Sequence, residues 1–261
     1  MDQQDKQIRR LAWRGAYNAR DLGGYPTEDG GQTRWKTLVR SDSLHTLTPD
    51  GQAALREYGV RTIIDVRLAH ELERDPSPFA TRQEPGNSPM PMPRYLNLPI
   101  HTAELDPEVA PPVDPLTAYI VILEKSKEHI AQIVKAVAAG MGDGCVLVHC
   151  QGGKDRTGII IALILSLAGV QREAIVEDFA LSEAMLEPLY RQWVDEQVRT
   201  TGRHPEKPMY MQALPQTMNG VLSHLEREYG GVEGYLLAVS VTGSEIEQIR
   251  HHLIVRPGRS R

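Results

Sequence analysis

Cysteine is nearly absent: 261 residues carry two, Cys145 and Cys150, too few for a disulfide framework. If both lie on one strand they stand on the order of 16 Å apart at about 3.3 Å per residue, beyond the roughly 7 Å between Cα atoms that a bridge spans. Cys145 is therefore expected in the core and not as a resolving thiol. Long apolar runs are missing too. The longest, Ile159 to Gly169, is too short to cross a bilayer, and the polar start, Met1 to Arg10, has no apolar signal core. A soluble, cytoplasmic protein without integral membrane association is expected. Positive charge is short as well, with 29 basic residues against 34 acidic ones and a net charge of −5. That balance offers no overall attraction for nucleic acid or an anionic membrane, so any anion must be held locally. The nine histidines, His251 and His252 among them, are scattered without metal-ligand spacing, and a mechanism free of metal and cofactor is expected.

What is present reads as an α/β chain. Its length can bury a large core, and residues 1–261 are expected to form one domain. Thr48-Pro49 supplies an N-cap and a first helical residue, Gly59 a stop, and Val60 to Val66 a following strand. Residues 74–115 hold eleven of the eighteen prolines, which predicts a long surface loop without regular elements. Leu116 to Ala139 is helix-periodic and ends at Gly140. Further helical patterns cover Arg172 to Leu181, Ser182 to Arg199, Met211 to Tyr229 and Ser244 to Ile254. Met185, Met209, Met211 and Met218 gather around 200–215; they suit either core filling or adaptable cover over a site.

The chemistry is concentrated in His149-Cys150-Gln151-Gly152-Gly153-Lys154-Asp155-Arg156-Thr157-Gly158. Before it, Cys145 to Val148 is a short β-rich apolar run, and after it Thr157 to Ala168 is apolar nearly all round, with Gly169 as a stop. The segment thus joins a buried strand to a buried helix. Helix N-termini present unpaired N–H groups and partial positive charge, which makes them anion sites. Gly152 and Gly153 let successive amides converge, and Arg156 adds a planar fork that grips two phosphoryl oxygens. Gln151, Gly152, Gly153, Lys154, Asp155 and Arg156 are the expected phosphate-binding residues. In that field a thiol is favoured as thiolate, so Cys150 is the expected nucleophile. In-line attack on a phosphate monoester forms a phosphocysteine, which water then opens. Thr157 suits a hydrogen bond to the departing sulfur. His149 is expected to order the loop.

The His-Cys, five residues, Arg-Thr arrangement resembles the signature of the cysteine-dependent protein tyrosine phosphatases. Asn18-Ala19-Arg20-Asp21-Leu22-Gly23-Gly24-Tyr25, Arg40-Ser41-Asp42, Asp65-Val66-Arg67 and Gly153 to Gly158 are similar to the bacterial, mycobacterial-type branch of that family. Tyr229-Gly230-Gly231 and Gly234-Tyr235, within Leu222 to Leu253, look like its final helices. The resemblance spans most of the chain and is weakest over 74–115. It implies the cysteine-dependent phosphatase fold, a mostly parallel central sheet flanked by helices, with appended C-terminal helices and a lid over 182–218. The implied activity is hydrolysis of phosphotyrosine protein. A phosphoinositide or dual-specificity phosphatase, and a catalytically silent phosphate-binding module, are the alternatives.

Several residues admit two roles. Lys154 is either a solvated surface lysine or, as the resemblance implies, a cation widening the anion site. Asn18 to Tyr25 reads as turn chemistry, with Gly23 and Gly24 at positive φ and Arg20 as a support that either stays structural or faces the phosphate. Asp65 and Arg67 read as an ion pair buttressing the sheet, or as direct participants. The resemblance implies Asp155 as proton donor to the leaving group. A second donor position, an Asp shortly after a Leu-Pro pair, is unfilled in Leu98-Pro99-Ile100-His101-Thr102, with Glu104 and Asp106 a little further on.

Overall fold

The computed structural model describes residues 8–80, 90–208 and 211–256. In chain order, β1 (Arg20–Asp21), β2 (Gln32–Thr33) and β3 (Leu38–Ser41) are followed by α1 (Pro49–Tyr58), β4 (Val60–Asp65), α2 (Ala69–Arg74), β5 (Arg94–Asn97) and α3 (Asp106–Val109). Next come α4 (Pro115–Lys125), α5 (Lys127–Met141), β6 (Cys145–His149), α6 (Asp155–Leu167), α7 (Arg172–Met185) and α8 (Glu187–Thr201). The chain closes with α9 (Pro215–Tyr229), α10 (Val232–Ala238), α11 (Gly243–Leu253) and β7 (Ile254–Val255).

The main sheet has the order β1-β3-β6-β4-β5. β3, β4, β5 and β6 run parallel and β1 antiparallel on the edge. Register sets Ser41 and Asp65 opposite His149 on the flanking strands. The loops after three parallel strands therefore open on one another, the place where parallel sheets bind ligands. Alternation along β6 sorts the core into two layers. Val146 and Val148 join a large cluster with α4, α5, α6 and the C-terminal helices, while Cys145 and Leu147 join a smaller one with α1 and Trp13.

Local chemistry explains the elements that carry the site. Thr48 Oγ1 accepts from the Gly51 amide at 3.2 Å, and Gly59 ends α1 at φ +106°. α6 is buried on nearly every side and stops at Gly169, φ +70°, which only glycine adopts without strain.

Several expectations are corrected. Residues 74–115 do contain regular elements, β5 and α3. β5 is an edge strand, so Pro93 and Pro99 just outside it leave the ladder intact. The helix expected over Leu116 to Ala139 is two helices broken at Ser126, where φ −115° and ψ 29° leave the helical region. The apolar period runs through the break because both helices bury their faces in the same cluster. α7 continues to Met185, and the next helix starts where Pro188 fits the first turn. Likewise α9 begins at Pro215 and not at Met211. Met185 and Met218 are buried, Met211 is half-buried, and Met209 lies outside the described residues. Among the described residues no helix is long and apolar enough to cross a membrane.

Candidate active site

The loop from Cys150 to Lys154 leaves β6 and enters α6 with its carbonyls turned outward, each held by a donor behind it. His149 Nδ1 lies 3.2 Å from the Cys150 carbonyl, and the Ser43 amide donates to Gln151 O at 2.9 Å. Asn18 Nδ2 donates to Gly152 O at 2.9 Å, and Arg40 Nη2 to Gly153 O at 2.6 Å and Lys154 O at 3.2 Å. In a trans peptide the next N–H points opposite its carbonyl. The amides of 151–155 are thereby aimed to the other side, into a cradle at the N-terminus of α6. Cys150 is 2% exposed at its floor. Gly153 stands at φ +62°, and a Cβ there would lie 2.2 Å from the Ser41 carbonyl oxygen, so only glycine fits.

Behind the donors is a buried ionic network. Asp178 of α7 accepts from Arg20 Nε at 2.8 Å, Arg40 Nη1 at 2.6 Å and the Tyr25 hydroxyl at 2.9 Å. Arg20 also donates to Asn18 Oδ1 at 2.6 Å, and Asp42 fixes Asn18 by accepting from its amide at 2.9 Å. Burial acts to raise the Asp178 carboxyl, but the two guanidinium groups outweigh it and hold it well below the usual range. Burial and Arg20 together push Arg40 down to about 10. Arg20 is thus wholly buried against Asp178 and Asn18 and does not face the cradle. Gly24 has φ +70°; Gly23 does not have positive φ and is instead required by space, since a Cβ there would lie 2.5 Å from Trp35 Cα.

Arg156 is gripped from the far side by Glu71 of α2. Glu71 Oε2 and Oε1 accept from its Nη1 and Nη2 at 2.5 and 2.7 Å, and Glu71 Oε2 also accepts from the Leu68 amide at 2.9 Å. Of the five guanidinium N–H groups this occupies two, and three remain for phosphoryl oxygens. Burial acts against ionisation of both partners, but their mutual bonds prevail, lowering the Glu71 carboxyl and raising Arg156.

Asp65 holds Arg67 by accepting from its amide at 3.0 Å, its Nε at 3.0 and 3.1 Å and its Nη2 at 2.7 Å, and accepts from the Tyr95 hydroxyl at 2.8 Å. Its Oδ2 is 3.4 Å from His149 Nε2. Asp65 and Arg67 thus form the expected ion pair at the end of β4, and Arg67 Nη1 also donates to Gln151 Oε1 of the loop at 3.4 Å. Burial lowers His149 more than Asp65 raises it, so the ring is kept neutral. Lys154 is 3% exposed, which removes the solvated-lysine reading; its Nζ donates to Gln212 O at 2.7 Å and lies 3.2 Å from Asp155 Oδ1. Asp155 Oδ1 also accepts from the Tyr119 hydroxyl. The Thr157 hydroxyl is buried without a hydrogen-bond partner, so no bond from it to the Cys150 sulfur is formed.

Beside the loop a cavity of about 350 Å³ reaches Arg156 and Asp155. Val109, Val113, Pro115, Ala118 and Ile122 supply its apolar walls, while Glu71, His101, Asp106 and Tyr119 supply polar groups. Cys150 does not line it; Asp155 and Arg156 are shared by cavity and cradle. Glu104 is exposed and Asp106 borders the cavity.

Sequence reasoning missed Glu71, Asp178, Tyr119 and His101. Only Asp178 carried a signal: it falls on the stripe of α7 that also holds Ile175, Phe179 and Ser182, all buried, and an acid on an apolar stripe needs a partner.

The model of the tyrosine phosphatase family matches residues 11–255. A tyrosine-protein phosphatase of Nostoc commune is 32% identical over 83% of this chain and 74% of its own length. The triple specificity protein phosphatase PtpB of Mycobacterium tuberculosis is 25% identical over 92% of this chain and 97% of its own. Among solved structures, P. aeruginosa TpbA is 18% identical over 81% of this chain and 91% of that one, with a TM-score of 0.39.

Proposed function

The chain belongs to the tyrosine phosphatase family, and from that premise we propose that it hydrolyses phosphotyrosine in proteins through a phosphocysteine on Cys150. The observation that supports this most is the cradle, with outward carbonyls, inward amides, the sulfur at its floor and a pre-oriented arginine beside it. The phosphoryl group sits on the loop amides and Arg156. Cys150 sulfur attacks phosphorus in line as the bond to the phenolic oxygen breaks, and charge on the equatorial oxygens meets donors that need no reorganisation. Water then attacks phosphorus, the S–P bond breaks and phosphate leaves. The apolar walls beside Arg156 suit the ring of a phosphotyrosine.

Asp155 is bound through one oxygen by both Tyr119 and Lys154. It braces α4 against the loop, and Lys154 ties the segment after α8, through Gln212, to the same point. The test is turnover of a phosphotyrosine peptide, a phosphoserine peptide and a phosphoinositide by wild type and Cys150→Ser. Rapid turnover of the first, lost in the variant while vanadate still binds, fits the proposal; preferential turnover of the phosphoinositide contradicts the substrate class.

A further inference from the structure

If phosphotyrosine is hydrolysed as proposed above, the departing phenolic oxygen needs a proton, and the cavity wall holds a donor outside the loop. We propose that His101, paired with Asp106, gives the proton from its Nε2 to the leaving oxygen and recovers one from the water that opens the phosphocysteine.

His101 is 4% exposed, yet it lines the cavity that Arg156 shares with the cradle. Its Nδ1 lies 3.1 Å from the Thr102 carbonyl oxygen. A carbonyl only accepts, so Nδ1 carries hydrogen in both charge states and Nε2 is the nitrogen that gains and loses the proton. Nε2 is 3.7 Å from Asp106 Oδ1, and both residues line the same cavity. The short turn Ala103–Leu105 folds the chain so that α3 begins opposite the ring. A carboxylate in that position stabilises the imidazolium without having to transfer a proton itself.

The other charged groups on this cavity are Arg156, Glu71, Asp155, His70 and Arg74. Burial and the charge of Arg156 lower the affinity of His101 for a proton, opposed by Asp106 and Glu71. A phosphate dianion seated on Arg156 offsets that positive charge, so substrate binding itself favours the protonated ring. Asp155 is less suited, because its Oδ1 already accepts from Tyr119 and Lys154. In the first step the S–P bond forms, the P–O bond breaks and the Nε2 proton passes to the phenolate oxygen. In the second, water oxygen bonds phosphorus, sulfur leaves as thiolate and neutral Nε2 takes the water proton, restoring the starting charge.

The experiment compares wild type with His101→Gln, Asp106→Asn and Asp155→Asn on a phosphotyrosine peptide and on nitrophenyl phosphate, whose leaving group needs little protonation. Vanadate affinity and thermal unfolding serve as controls for the cradle and the fold. The expected result is that His101→Gln loses about 100-fold or more in kcat on the peptide and far less on nitrophenyl phosphate. Asp106→Asn should follow the same split more weakly, and the alkaline limb should lie at higher pH in kcat than in kcat/KM, since only the former reports the substrate complex. His101→Gln within about threefold of wild type on the peptide, or equal losses on both substrates, overturns the inference; so does a leaving-group-dependent loss found in Asp155→Asn instead. If wild type turns over the peptide through Cys150 and these variants do not discriminate, this inference alone fails. Should Cys150→Ser remain active, the underlying mechanism fails with it.

Discussion

Glu71 and Arg156, 85 residues apart in sequence, form a two-pronged ion pair at 2.5 and 2.7 Å whose carboxylate also accepts from the Leu68 amide at the start of α2. A freely rotating guanidinium must be ordered each time substrate binds; here that entropy is already spent on folding, and the plane of the fork is fixed before the phosphate arrives. Glu71→Ala should therefore lower kcat/KM on a phosphotyrosine peptide by on the order of 10- to 100-fold, about 1.4–2.7 kcal/mol of transition-state stabilisation. Glu71→Gln, which can still accept one of the two bonds, should fall between that variant and wild type. Steady-state kinetics decide it, and wild-type kcat/KM in Glu71→Ala would show that the loop alone orients Arg156.

The same pair carries a pH signature. Because the folded-state Glu71 carboxyl lies below its ordinary value, its contribution to stability is fully present above the unfolded-state value of about 4.3 and is lost as pH falls through the lower folded one. Urea unfolding from pH 6 down to pH 3 should therefore fall less steeply in Glu71→Gln than in wild type. Parallel curves would contradict it.

Arg156→Lys should be nearly as damaging as Arg156→Ala. A point charge cannot satisfy both Glu71 oxygens and two phosphoryl oxygens at once. Retention of most activity in the lysine variant would reduce Arg156 to a charge.

Asp178 is the single carboxylate between two buried guanidinium groups at 2.8 and 2.6 Å. Asp178→Asn leaves both cations buried without a counter-charge, a situation that costs about 3–5 kcal/mol. It also loosens Arg40, which holds the Gly153 and Lys154 carbonyls. Stability by urea unfolding and kcat are expected to fall together; an unfolding midpoint close to that of wild type would mean the network is not what positions the loop.

The two loop glycines should separate. A Cβ on Gly153 meets the Ser41 backbone at 2.2 Å, whereas one on Gly152 has nothing nearer than Leu186 Cδ1 at 3.9 Å. Gly153→Ala should abolish vanadate binding and Gly152→Ala should keep it within about tenfold, or roughly 1.4 kcal/mol. Calorimetric titration checks the pair, and equal loss in both would contradict the close approach of the loop to β3.

The strand-loop-helix unit was legible in the sequence because its signals are local: a short apolar run, paired glycines, an apolar helix and a glycine stop at 169. The fork partner of Arg156 was not, since Glu71 sits in an ordinary amphipathic turn and meets Arg156 only through tertiary packing. Asn18, Arg20 and Arg40 were visible as a motif, but their work of turning loop carbonyls outward depends on Asp178, which is 138 residues from Arg40. The proline-rich stretch misled because proline excludes a central strand, not an edge one such as β5. The break at Ser126 was hidden for the opposite reason, an apolar period that continues across it.

The central claim is that phosphate passes through Cys150 sulfur. The most direct measurement mixes enzyme with a phosphotyrosine peptide labelled in its phosphate, quenches within the first turnover, and locates the label by peptide mapping. The account predicts phosphate on the peptide that contains Cys150, formed as fast as tyrosine product appears and absent in Cys150→Ser. Product release with no labelled enzyme, or label on any other residue, would contradict it.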